Sequence, residues 1–121
     1  METLNIQIMS REQADAEFIH AFKEARAGRK TAPKQGIYFA SLEAVRALLT
    51  AKRMALLHVI RENHPKSINA LAKIAGRDFK NVYADIMLLK RCGLVRMAAG
   101  SGKLGPHIAV PFQAIDIHAS I

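Results

Sequence analysis

The sequence predicts an α+β chain, mainly helical, and three observations carry that expectation. Apolar residues recur at three- and four-residue spacing on both sides of Gly76, then give way after Gly93 to extended, β-type sequence. Residues 3–8 and 115–119 alternate apolar with polar, the period of a half-buried strand. Half of the 121 residues are hydrophobic, yet no apolar run approaches the length of a membrane span. A chain of this length buries enough surface to fold without staples, and its single Cys92 excludes an intramolecular disulfide and a Cys-rich zinc module.

The first strand, residues 3–8, sets Leu4, Ile6 and Ile8 on one side and Asn5 and Gln7 on the other. Ser10 opens a helix, with Gln13 placed as its capping-box partner. Glu12, Asp15 and Glu17 suit the positive end of that helix. Its stripe of Ala14, Phe18, Ala21, Phe22 and Ala25 must be buried somewhere, and Gly28 ends it near Ala27. Residues 29–36, basic and containing Pro33, read as a linker in preference to an arm on DNA. Residues 37–39 are a short extended piece, and Ser41 with Glu43 begins a helix that runs through Leu49. Thr50 caps the next helix, whose core face is Met54, Leu56, Leu57 and Ile60; Asn63, His64 and Pro65 end it.

Ser67 caps a short helix with Ile68, Leu71, Ala72 and Ala75 on its apolar face, and Gly76 stops it in the left-handed region. Asp78 is placed to cap a second helix, with Phe79, Val82, Ile86 and Leu89 as its core face. Leu94 and Val95 begin a strand, and a further extended piece follows the glycine-rich residues 100–105, so the two form a hairpin. Gly-x-Gly-Lys at its tip is not a phosphate loop, because that needs a longer glycine spacing and a helix opened by Ser or Thr. Ile115, Ile117 and Ala119 alternate with Asp116 and His118 as a closing strand. Two arrangements are open for the ends: pairing with a second copy, or folding back with Ile115 and Ile117 beside Leu4 and Ile6.

Two short helices joined through a glycine turn form the unit that lays its second helix in the DNA major groove, and the hairpin after them makes the winged version. Charge agrees. Residues 41–105 carry twelve Lys and Arg against four Asp and Glu, which accounts for the whole net charge of +8. Basic excess concentrated on such a unit is the footprint of a phosphate-backbone binder. Opposite the core face, the start of the second helix offers Lys80, Asn81 and Ala84; Lys donates to guanine, Asn pairs with the adenine edge, and Ala allows close approach or meets a thymine methyl. Tyr83 flanks them, Arg77 precedes the helix, Ser67 caps the first helix, and Lys103 lies on the wing as a phosphate contact. The resulting organisation is a strand–helix extension at 1–36, a winged helix-turn-helix domain at 37–112 and a strand or tail at 113–121. Five scattered histidines have no metal-like spacing and Cys92 has no evident base partner, so neither an enzyme nor a cofactor is expected. The absence of a basic start followed by an apolar run makes a cytoplasmic protein the default.

The segment from Ser41 to Val95 resembles the winged helix-turn-helix, MarR-like transcriptional regulators of bacteria and archaea. It is more closely similar to a group of short regulators with three motifs: Leu49, Thr50 and Arg53; Ser67, Leu71 and Ala72; Gly76, Arg77, Asp78, Lys80 and Val82. Leu89, Gly93, Leu94 and Val95, then Val110 and Pro111, continue the similarity. The resemblance implies a repressor of its own operon on double-stranded DNA, or an antitoxin that neutralises a cognate toxin protein. A homodimer is expected, since one such domain covers only a half-site.

Overall fold

The computed structural model describes residues 2–28, 36–98 and 107–120. Among these the elements run β1 (Thr3–Ile8), α1 (Arg11–Arg26), β2 (Ile37–Phe39), α2 (Leu42–Leu48), α3 (Ala51–Asn63), α4 (Ile68–Ala75), α5 (Phe79–Arg91), β3 (Arg96–Ala98), β4 (His107–Ala109) and β5 (Ala114–Ala119). The chain is therefore α+β with helix predominating. The basic linker and the glycine-rich tip with Lys103 fall outside the described residues. The elements group into two units: Thr3–Arg46 with Ala114–Ile121, and Ala47–Gln113 with Glu2. In sequence the first boundary falls within α2, so β2 groups with β1 and β5; the second falls just before β5. No helix among the described residues is long and apolar enough to cross a membrane.

The strand unit is a parallel sheet of order β2-β1-β5. Leu4 pairs with Ile115, Ile6 with Ile117 and Ile37, and Ile8 with Ala119 and Phe39. All of these share one face, because partners in register point the same way. Asn5 with Asp116, and Gln7 with His118 and Tyr38, share the other. Ile6, in the central strand, is fully buried. This is the fold-back pairing of the two ends, in parallel orientation. Parallel neighbours need a long crossover, and α1 supplies it between β1 and β2. Gly36 lets β2 approach β1: a Cβ there would sit 2.5 Å from the Asn5 carbonyl oxygen.

Helix α1 starts with the expected capping box. Ser10 Oγ accepts from the Gln13 N–H at 3.2 Å, and Gln13 Oε1 accepts from the Ser10 N–H at 3.0 Å. Its apolar stripe departs from expectation, for no α1 residue is buried. Phe18 is 72% and Phe22 55% exposed, with the Arg26 guanidinium 5.9 Å from the Phe22 ring centre. Three strands, one of them only three residues long, offer too little surface to cover a 16-residue helix.

In the helical unit the core gathers Leu56, Leu57 and Ile60 of α3, Ile68, Leu71 and Ala72 of α4, and Val82, Ile86 and Leu89 of α5. A side chain such as Leu71 or Leu89, with no exposed surface, contributes about 1.5–3 kcal/mol by its burial. Met54, expected on the α3 core face, is exposed; it lies in the first turn, ahead of the residues that meet α4. Leu94 and Val95 are buried but precede β3 and are not part of it: they fill the core before the chain reaches its strand partner. β3 and β4 pair antiparallel, Met97 opposite Ile108. Arg61 ties α3 to the chain after β4, donating through Nη1 to the carbonyls of Val110 (3.1 Å) and Phe112 (2.7 Å).

Candidate nucleic-acid interface

The α4–α5 pair is built by its caps. Ser67 Oγ accepts from the Ala70 N–H at 3.0 Å, so α4 begins where the sequence places it. Gly76 closes α4 at φ +65°, a conformation that costs a Cβ-bearing residue roughly 1–2 kcal/mol. Asp78 holds the N-cap position of α5 in extended backbone, yet its carboxylate makes no capping bond. The turn is therefore set by Gly76 and by what lies behind it.

Behind it stands a network that the sequence reading missed. Asp85, on the flank of α5, accepts from Arg53 Nε at 3.1 Å and from Arg77 Nη2 at 2.9 Å. All three side chains are largely buried, 15–23% exposed. Arg53 also donates through Nη1 to the carbonyls of Ala47 (2.8 Å) and Leu48 (3.1 Å), which are free because α2 ends there. One carboxylate thus joins the end of α2, the start of α3, the α4–α5 turn and the middle of α5. The available signal was Asp85 itself, the one acid within the otherwise basic α5.

The outer face of α5 follows from its period. Relative to Val82, which is fully buried, Lys80 and Ala84 stand about 160° away on either side, at 100° per residue. Both are exposed, as is Asn81. Tyr83 is 46% exposed and its ring lies 5.9 Å from that of Phe79. Phe79, expected in the core, is 47% exposed: it opens the helix about 60° off the core direction and packs along the surface one turn from Tyr83. Met87 and Leu88 are half-buried.

Lys80, Asn81, Tyr83 and Ala84 therefore come together on the first two turns of one helix. Arg77 is not free beside them, since its guanidinium is turned onto Asp85. Ser67 is half-buried at the head of α4, its oxygen engaged as a cap while its hydroxyl hydrogen remains available to donate. Lys103 lies outside the described residues. Asp85 stands about 60° from Val82, toward the core, and is held there by two arginines; the exposed face of α5 carries Lys80, Lys90 and Arg91, with the exposed Asp78 at the N-cap before them. Among the described residues no group of three or more His, Cys, Asp or Glu is placed to hold a metal ion.

Compared with known proteins, residues 48–117 match the model of the family HVO_A0114, which is more than half of the chain. The chain belongs to that family. No curated protein and no solved structure matches it.

Proposed function

We propose that this member of the HVO_A0114 family is a sequence-specific binder of double-stranded DNA that acts as a transcriptional regulator, repressing its own operon. The observation that carries this reading is the outer face of α5. It is one glycine turn after α4, basic, and fixed in orientation by a fully buried opposite face, with Asp85 held on the inner flank by Arg53 and Arg77. α4 and α5 act as the helix-turn-helix pair, α5 enters the major groove, β3–β4 form the wing, and Lys103 contacts a phosphate. Lys80 and Asn81 read base edges, Ala84 lets the helix lie close, and the Tyr83 hydroxyl and Ser67 donate to phosphates on either side. Arg77 positions α5 and does not contact bases. Two copies read two half-sites.

A gel-shift titration against the DNA upstream of its own gene tests this. Binding is expected at low salt, with log K falling against log salt by about 0.9 per phosphate neutralised. No binding to that DNA at low salt would refute the reading. Lys80→Ala and Asn81→Ala are each expected to lose roughly 1–3 kcal/mol on the specific site and to relax discrimination. Equal loss on specific and random DNA would remove the base-reading role. A second reading, neutralisation of a cognate toxin, has in its favour the exposed Phe18 and Phe22 of α1, an apolar stripe of the kind a protein partner covers. Co-purification with the product of a neighbouring gene, lost on Phe18→Ser, is the result expected of it.

A further inference from the structure

Among the described residues strand β5 is an edge of the sheet, six residues long, with β1 on one side and no strand on the other. Edge strands usually carry protection such as proline, lysine, a bulge or a short length. β5 has no proline and no lysine, and its one formal charge is Asp116. Ile117 is 47% exposed although its register partner Ile6 is fully buried. The edge is therefore an open template for another strand, and its own sequence says which one. We propose that a second copy of this chain adds its β5 there, antiparallel, about a two-fold axis through Ile117.

The register follows from parity and charge. A two-fold axis normal to a sheet keeps the faces of both copies, so it must pass through a residue facing its own copy, not between residues. In a six-residue strand only two such centres leave five residues paired, Asp116 and Ile117. Centring on Asp116 sets two carboxylates directly opposite, which is destabilising. Centring on Ile117 sets Ile117 against its copy, Asp116 against His118 twice, and Ile115 against Ala119 twice. Every cross-strand pair is then apolar with apolar or acid with imidazole. The joined sheet runs β2-β1-β5-β5-β1-β2 with one continuous apolar face through Ile6, Ile115 and Ile117. The same axis carries both α1 helices, with exposed Phe18 and Phe22, to one face of it. This assigns the surface for the two copies invoked above. It rests on that part of the proposed function and not on the DNA contacts.

The experiment uses the full chain without DNA, so that its failure is distinct from a failure to bind the operator. Light scattering at tens of micromolar is expected to give twice the monomer mass. Asp116→Lys should weaken the dimer about tenfold, since two acid–imidazole pairs are lost by symmetry. His118→Asp should do the same, and the double exchange Asp116→Lys with His118→Asp should recover the wild-type dissociation constant within about threefold. In a Cys92→Ser background, Ile117→Cys is expected to give a disulfide-linked dimer under oxidised glutathione, because facing Cα atoms lie about 4.5–5.5 Å apart. Ile115→Cys should not, its two copies lying about 14 Å apart at four strand residues. A monomeric wild-type protein overturns the proposal. So does a dimer in which Ile117→Cys fails to cross-link, or in which Asp116→Lys leaves dissociation unchanged while circular dichroism shows the fold intact.

Discussion

Replacing Asp85 with alanine removes the common acceptor of Arg53 and Arg77 and leaves both guanidinium groups in place. Arg53 keeps the carbonyls of Ala47 and Leu48. Among the described residues Arg77 keeps no other side-chain partner, and its buried Nη1 already has none. Hydrogen bonds to charged groups contribute about 1.5–3 kcal/mol each, and breaking a fully buried ion pair costs about 3–5 kcal/mol. These side chains are 15–23% exposed, so some of the lost interaction is returned by water. A net loss of about 2–4 kcal/mol is expected. For a unit of this size each kcal/mol shifts the melting temperature by about 4–8 °C, so the variant should melt roughly 10–25 °C lower. Asp85→Asn, which keeps one acceptor, should lie between the two proteins. Asp78→Ala is the matched control, an acid seven residues away without a capping bond, and should change stability by less than about 0.5 kcal/mol. Urea unfolding followed by circular dichroism measures all three. A loss below about 0.5 kcal/mol for Asp85→Ala would show that the pair behaves as an ordinary solvent-screened surface pair, and the role given to it in fixing the α4–α5 turn would fall.

Other substitutions have equally definite outcomes. Leu71→Ala, at a position with no exposed surface, should cost about 2–5 kcal/mol by urea unfolding. Gly76→Ala should cost about 1–2 kcal/mol through its positive φ alone, because nothing lies within 4 Å of the added Cβ; a larger loss would mean that the turn is crowded as well. Ser67→Ala should cost about 1 kcal/mol as a lost cap, and under the proposed function should also weaken binding to specific and random DNA alike in gel shifts. Lys103→Ala should weaken both DNAs equally and reduce the salt slope by about 1.

Features set by neighbouring residues were legible in the sequence. Ser10 with Gln13, Thr50, Ser67 and Gly76 all act where expected, because a cap is a bond across three residues and needs nothing distant. Val82, Ile86 and Leu89 were legible as one face by their period. Phe79 was not: the same period includes it, but at the first position of α5 its direction is off the core. The apolar stripe of α1 was legible as a pattern, but not what covers it: within one chain it is exposed, since whether a face is covered depends on how much surface the rest of the unit offers. The alternation of β1 and β5 was plain, but their parallel orientation and the placing of β2 on the opposite side of β1 are set by the crossover. The Asp85 network escaped because its arginines stand 32 and 8 residues away, beyond any local rule.

The pairing of β1 with β5 also governs how the protein is made. Thr3 lies beside Ala114, about 110 residues later in the chain, with the whole helical unit inserted between them. At about 5–20 residues per second, β1 leaves the ribosome some 5–20 seconds before its longest partner has been synthesised. Only β2, three residues long, can join it earlier. During that interval α2 to β4 complete a unit of their own, and in doing so shorten the loop that must be closed to bring β5 home. The nascent chain therefore carries β1 without its six-residue partner through most of its synthesis, and crowded polysomes bring such strands from adjacent copies close together.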